Sequence, residues 1–314
     1  MSKLAFIFPG QGSQKAGMGL ELAGRFGEAR RVFDEADAAL GEALSALCFQ
    51  GPDEALRLTA NTQPAILAVS AAAAAVLAAR GVVPDFVAGH SLGEYSALVA
   101  AGALSVADAA RAVRARGTFM QEAVPAGQGA MSAVLGLDPA RVTAVCAEVA
   151  AETGLTVSPA NYNEPAQTVI AGAAAAVEAA GVKLRAAGAK RVLPLPVSAP
   201  FHCALMEPVK ARLEPVLRSV AWRPLLRPVV TNVEARANGD VARAPPLLVA
   251  QVTAPVRWIE SVEELARLGV TRVVEVGPGK VLGGLVKRIA PSIEAFNVED
   301  AASLEKTLAA LGRS

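Results

Sequence analysis

The chain has 314 residues, 53% of them apolar and only 4% aromatic, so its core must be built from Ala, Val and Leu, and a largely disordered chain is excluded. With 30 Lys and Arg against 29 Asp and Glu, the net charge is +1, which gives no electrostatic basis for holding nucleic acid or an anionic membrane surface. The length accommodates two domains, or one large domain carrying an insertion.

The first predicted element is a strand over 3–8 (KLAFIF), ended by Pro9 and Gly10. Its apolar run is too short for a secretory signal, which needs roughly 7–15 apolar residues. Helical patterns follow near 27–39, 53–58 and 64–80. The longest apolar segment, "AILAVSAAAAAVLAA" at 65–79, falls short of the roughly 20 residues of a membrane span and reads as a buried Ala-rich helix. A strand over 85–88 (DFVA) then leads through "GHSLG" into helices over 91–101 and 105–121.

From residue 130 the pattern changes to strand (AMSAVLGL), helix (PARVTAVCAEVAAET), strand (LTVSPANYN), strand (QTVIAG), helix (AAAVEAAGVKLRAAG) and strand (RVLPLPV). That is the β-α-β-β-α-β order of ferredoxin-like domains, punctuated by "PAGQG" at 125–129 and "PLP" at 194–196. Further strands over 228–232 and 271–276 and helices over 203–219 and 258–268 complete the pattern. Pro215 should kink or end the first of those helices. The expected architecture is α/β: a large α/β-hydrolase-like domain with a mostly parallel sheet (1–126 and 197–314) and an inserted small ferredoxin-like domain (127–196). Cys48, Cys146 and Cys203 have no disulfide or zinc spacing, which favours a cytoplasmic chain without a structural metal.

Gly89-His90-Ser91-Leu92-Gly93 fits G-x-S-x-G, a nucleophile elbow in which a strand turns sharply into a helix. An ordinary N-cap serine would satisfy the same five letters, and a chain this long shows them by chance about one time in ten. A serine hydroxyl needs a base. Of the two histidines, His90 adjoins the serine on a tight turn and points elsewhere, which leaves His202 in "VSAPFHCALM". Cys203 is the competing nucleophile, although its neighbour His202 is badly placed to activate it. The N–H of Leu92 is the expected first oxyanion donor, and "FPGQGSQ" at 8–14, leaving the first strand, is suited to supply a second.

Taken together, "FPGQGSQ", "TQPAI" (62–66), "GHSLGE" (89–94), "RG..M" (116–120), "NYN" (161–163), "PFHC" (200–203), "PV.W" (255–258) and "VGPG" (276–279) occur in the order seen in malonyl-CoA:acyl carrier protein transacylases, and the chain resembles that family over nearly its whole length. The resemblance implies a two-step transfer in which Ser91 attacks the malonyl thioester of coenzyme A with His202 as base. The phosphopantetheine thiol of holo acyl carrier protein then takes the malonyl group. It further implies that Arg116 clamps the free malonyl carboxylate, that the Gln11 N–H is the second oxyanion donor, and that the backbone carbonyl of Gln251 orients the histidine. Gln63 and Asn161 match pocket residues. Leu92 and Phe201 resemble the malonyl-selecting members. No permanently bound cofactor and no metal are implied, coenzyme A thioester being the substrate, and a monomer is the default.

"VGPGKVL" at 276–282 lacks the Ser/Thr of a phosphate loop and reads as a tight strand-to-helix turn beside the active site. An acidic carrier would need a local basic surface, for which Lys183, Arg185, Lys190, Arg191 and Lys210 are candidates. Fatty-acid and polyketide pathways remain open alternatives. So does a serine esterase or thioesterase delivering the acyl group to water, and a non-enzymatic anion-binding module is the third class.

Overall fold

The structure, a computed structural model, describes residues 2–197 and 199–313, so the outer limits of the expected domain ranges at 1 and 314 fall outside the described residues. Among the described residues, ten strands form two sheets. β1 (Lys3–Phe8), β2 (Phe86–Gly89), β7 (Val229–Val230), β8 (Ala237–Asn238), β9 (Val270–Val276) and β10 (Glu294–Val298) make a six-stranded sheet ordered β10-β9-β1-β2-β7-β8. All its pairings are parallel except β7 with β8. β3 (Gly129–Leu135), β4 (Val157–Glu164), β5 (Gln167–Ala173) and β6 (Arg191–Pro194) make a separate antiparallel sheet ordered β4-β5-β3-β6. The protein is thus mixed α/β, with a mostly parallel sheet and a second antiparallel one.

β1 explains why the parallel sheet is buried on both sides. Phe6 and Phe8 enter the core on one face while Ala5 and Ile7 enter that on the other, the two-residue period of a strand between two helical layers. Helix Thr59–Ala79 is buried nearly all round, so it is apolar without a polar stripe. Its 21 residues exceed the apolar run expected from sequence and are long and apolar enough to span a bilayer, but 83% of its most apolar window is buried inside the fold. It is a core helix.

That helix also begins earlier than expected, at Thr59, and accommodates Pro64. Proline has no N–H for the Ala60 carbonyl one turn back, and Arg114 Nη1 donates to that oxygen instead at 2.6 Å. Pro215 likewise does not stop its helix, which runs over Glu207–Arg218 and ends one turn later. β7 is two residues long where five were expected, and β8 and β10 have no counterpart in the sequence reading. Helices Leu20–Arg25, Leu44–Gln50, Ala244–Gln251, Val281–Ile289 and Ala301–Ala310 are also additional.

β1 and β2 are neighbours, and the chain reaches β7 on one side of them and β9 on the other. In an open parallel sheet the crevice beyond the carboxyl ends at such a reversal is where ligands bind. The loop after β1 and the turn after β2 both open there. The small sheet is tied to this end by a bridge between Asn161 and Val256, in which Tyr162 N–H donates to the Val256 carbonyl at 2.9 Å and Val256 N–H to the Ala160 carbonyl at 2.8 Å.

Candidate active site

The turn after β2 is as tight as a backbone allows. A Cβ on Gly89 would lie 1.9 Å from the Gly93 carbonyl carbon, and one on Gly93 would lie 2.1 Å from the Phe8 carbonyl oxygen. Strand, following helix and β1 therefore touch backbone to backbone. Between the two glycines Ser91 takes a φ of 51°, the left-handed region that a non-glycine residue enters only when its surroundings dictate it. Asn232, at the end of β7, holds this corner: its Oδ1 accepts from Ser91 N–H at 2.7 Å and its Nδ2 donates to the Gly89 carbonyl at 2.6 Å.

Ser91 Oγ lies 2.7 Å from His202 Nε2. His202, also left-handed at φ 59°, has its Nδ1 2.9 Å from the Gln251 backbone carbonyl. A carbonyl can only accept, so Nδ1 carries the proton and Nε2 presents its lone pair to the hydroxyl. That carbonyl is available because Gln251 is the last residue of helix Ala244–Gln251, where carbonyls lose their intrahelical partners. Burial, reinforced by the Arg116 charge, pushes the His202 imidazole down to about 3. It is neutral at pH 7.

Arg116 comes from helix Val106–Glu122 and is 2% exposed, an unusual depth for a guanidinium. Its neighbour Gly117 lets the helix press against the Thr59 backbone, where a Cβ would lie 2.6 Å from the Thr59 carbonyl oxygen. Nη1 donates to Gln63 Oε1 at 2.8 Å, and Nη2 donates to Gln251 Oε1 at 2.9 Å and to Ser91 Oγ at 3.2 Å. These acceptors are amide and hydroxyl oxygens, none a carboxylate. Nε has no hydrogen-bond partner among the described residues. The arginine is a buried, caged cation that no carboxylate touches among the described residues.

A cavity of about 390 Å³ opens over this constellation. Gln11, Gln63, Leu92, Asn161 and Phe201 line it beside Ser91, Arg116 and His202. The N–H groups of Gln11 and Leu92 have no hydrogen-bond acceptor among the described residues. Met131, Leu195 and Val197 supply an apolar wall, and Arg57 reaches the cavity from the helix before Leu58. Every site residue singled out from sequence is thus at one cavity except Gln251, which lies just behind it and touches both His202 and Arg116.

His90, set aside as pointing elsewhere, has its Nε2 2.8 Å from Asn163 Oδ1 and its ring against Trp258 with centroids 5.6 Å apart, although one edge of it reaches the cavity. Cys203 is buried, its thiol pushed up to about 11 by desolvation and placed 3.1 Å from the Pro200 carbonyl, so it is no thiolate. Of the basic residues expected to form a free surface, Lys183 is held between Glu148 and Glu152, and Lys210 pairs with Glu207. The "VGPG" turn packs on the loop after β1, with a Cβ on Gly277 falling 2.3 Å from Ser70 Oγ and 3.1 Å from Pro9.

Sequence reasoning missed Asn232 and Glu94. Glu94 Oε2 accepts from Asn232 N–H at 3.0 Å and from Gln251 Nε2 at 2.8 Å, and burial pushes its carboxyl up to about 7. Glu94 stood in the quoted "GHSLGE", but nothing local marks it, because its partners are 138 and 157 residues away.

Residues 5–306 match the family model described as the acyl transferase domain. The chain is 50% identical over 309 residues to the malonyl CoA-acyl carrier protein transacylase of Salmonella typhimurium, covering 98% of this chain and 99% of that one. An acyl carrier protein S-malonyltransferase from Vibrio cholerae aligns in structure with a TM-score of 0.94 at 47% identity, over 98% of this chain and 100% of the other. A malonyl-transacylase in complex with its type II PKS acyl carrier protein aligns with a TM-score of 0.95 at 48% identity, over 98% and 100% of the two chains. The chain belongs to the acyl transferase family, among the malonyl CoA-acyl carrier protein transacylases.

Proposed function

We propose that this enzyme moves a malonyl group from malonyl-CoA to the phosphopantetheine thiol of holo acyl carrier protein, in fatty-acid biosynthesis, through a malonyl ester on Ser91. One observation carries the reading: Ser91 Oγ is within hydrogen-bond reach of a neutral imidazole nitrogen and of a buried guanidinium at once.

In the first half-reaction Ser91 Oγ attacks the thioester carbonyl carbon while His202 Nε2 takes the hydroxyl proton, help worth roughly 10²–10⁴ in rate. The N–H groups of Gln11 and Leu92 hold the resulting oxyanion. Collapse breaks the carbon–sulfur bond, and the leaving sulfur receives the proton from His202. In the second half-reaction the carrier's thiol gives its proton to His202 and attacks the ester, and Ser91 leaves with that proton. Arg116 binds the malonyl carboxylate throughout, since a planar guanidinium accepts a carboxylate through two parallel bonds. Gln63, Asn161 and Phe201 shape the acyl pocket.

The order β4-β5-β3-β6 with its two intervening helices supports reading 127–196 as a ferredoxin-like domain inserted into an α/β-hydrolase-like one, formed by 1–126 and 197–314. We take the enzyme as a cytoplasmic monomer with no resident cofactor or metal and no nucleic-acid or membrane partner. Three free, buried cysteines support the compartment.

Incubation with malonyl-CoA alone should give a stable malonyl adduct on Ser91 by mass spectrometry, lost on adding holo carrier protein. Continuous hydrolysis of the donor would mark an esterase, and no adduct would mark a binding module. Arg116→Ala should cost malonyl transfer about 10²-fold or more in kcat/KM and acetyl transfer far less, because only malonyl presents a carboxylate. Equal losses would remove the clamp. A polyketide role is the second reading, favoured by the 48% identity to a transacylase bound to a type II PKS carrier. Comparing transfer rates to fatty-acid and polyketide carriers separates the two.

A further inference from the structure

Glu94 is a fully buried carboxylate in the first turn of helix Gly93–Ala100, at 2% exposure, and the proposed chemistry does not use it. A glutamate there would ordinarily be exposed and favour the helix dipole. Glu94 instead turns inward, and its oxygen Oε2 collects two donors from other parts of the chain, Asn232 N–H and Gln251 Nε2.

We infer that Glu94 is a positioning residue of the active site, orienting the Gln251 amide so that its oxygen faces the substrate-binding arginine and, through Asn232, bracing the corner that carries Ser91. The inference rests on the transacylase reading above. An amide side chain has a donor end and an acceptor end, and which end faces which neighbour is set by its partners. Ionised, or protonated on its other oxygen, Glu94 presents Oε2 as an acceptor, so it fixes the Gln251 nitrogen on its own side, where that nitrogen also donates to the Ser91 carbonyl at 3.0 Å. The amide oxygen is then left facing Arg116 Nη2 at 2.9 Å. The backbone carbonyl of the same residue receives His202 Nδ1–H. Through Asn232, whose N–H it also binds, Glu94 braces the group that holds Ser91 N–H. Reversing the Gln251 amide would put NH₂ against the guanidinium, donor against donor, and would unseat Arg116, whose Nη2 also reaches Ser91 Oγ at 3.2 Å.

Glu94→Gln and Glu94→Met separate this role from packing and from charge. Both existing bonds end on the same oxygen, so Gln can keep them with its amide oxygen, whereas Met roughly keeps the volume and offers only a weak sulfur acceptor. Initial rates with malonyl-CoA and acetyl-CoA, with holo carrier protein as acceptor, give the malonyl-to-acetyl ratio of kcat/KM. That ratio does not depend on the fraction of enzyme that is folded, so a partly unstable variant is still informative, and Glu94→Ala serves if Glu94→Met yields no folded protein.

The expected result is a loss of about 10²-fold for malonyl and about tenfold for acetyl in Glu94→Met, hence a ratio about tenfold lower, since small misplacements of reacting groups cost this much. Glu94→Gln should stay within about threefold of the wild type for both. An unchanged ratio in Glu94→Met, or a Glu94→Gln as impaired as Glu94→Met, overturns the inference. If the wild-type enzyme forms no malonyl-Ser91 adduct, the transacylase reading itself fails, an outcome read separately from the variants.

Discussion

At the scale of single residues, the His202 imidazole pairs a low proton affinity with a catalytic position, and both come from its surroundings. Burial and the neighbouring Arg116 charge lower it from the ordinary 6.5 to about 3. The free enzyme therefore keeps its base unprotonated through the whole range in which an exposed histidine titrates. Because kcat/KM reports the free enzyme, acylation by malonyl-CoA should show no acid limb near pH 6.5 and should hold its rate down to about pH 5. Once a malonyl carboxylate offsets Arg116, protonating His202 becomes easier, so the acid limb of kcat should lie at higher pH than that of kcat/KM. Rapid-mixing acylation from pH 4.5 to 8 checks this, and a kcat/KM limb at 6.5 would contradict it.

Glu94 shows the opposite displacement. Its carboxyl rises from 4.5 to about 7 on folding, chiefly by burial. Between those values the unfolded chain is ionised and the folded one is not, so stability falls as pH rises through that window. Glu94→Gln removes this dependence. Its melting temperature should match the wild type near pH 5 and exceed it at pH 8, by at most about 3 kcal/mol of relative stability. A gain at pH 5 instead would reverse the sign and refute the account.

At the scale of elements, the serine corner depends on backbones that touch. Gly93→Ala would drive a Cβ to 2.1 Å from the Phe8 carbonyl oxygen, and neither strand nor helix can retreat. Denaturant unfolding should show a loss of about 3 kcal/mol or more, with Ser91 acylation abolished. Gly284→Ala, in helix Val281–Ile289 with nothing within 4 Å of the added carbon, should instead gain up to about 1 kcal/mol from helix propensity. The contrast separates steric need from glycine content.

The same difference governs what could be read from the sequence. The serine corner, β1 and β9 were legible because tight turns and doubly buried strands leave local marks. Helix Ala244–Gln251 was not, since "APPLLVAQ" reads as a loop until its prolines are recognised as first-turn residues. With that helix unseen, the resemblance could name Gln251 as the residue behind His202 without giving the reason its carbonyl is free. Asn232 and Glu94 left no signal, because their bonds span well over a hundred residues and no period encodes them.

At the scale of the whole molecule, the cavity lies between two sheets, with Ser91, His202 and Arg116 on the large one's side and Met131 and Asn161 contributed by the small one. Among the contacts that join them are the backbone bridge at Asn161 and Val256, the ion pair of Arg288 with Glu164, and the side-chain bond between His90 and Asn163. The bond between His90 and Asn163 connects the residue before the nucleophile directly to β4, so the pocket wall is registered against the elbow. Asn163→Ala removes that bond, and the one its Nδ2 donates to Gln167 Oε1 at 3.3 Å within the small sheet, while leaving every group in contact with Ser91 Oγ in place. The consequence should fall on substrate placement more than on bond-making. We expect KM for malonyl-CoA to rise about threefold to tenfold with kcat changed less than twofold, and a stability loss of about 1–3 kcal/mol for the two hydrogen bonds. Steady-state kinetics with thermal melts on the same preparation test it. A fall in kcat with KM unmoved would mean instead that losing this bond shifts Ser91 through its neighbour His90, and would overturn the assignment of the bond to substrate placement.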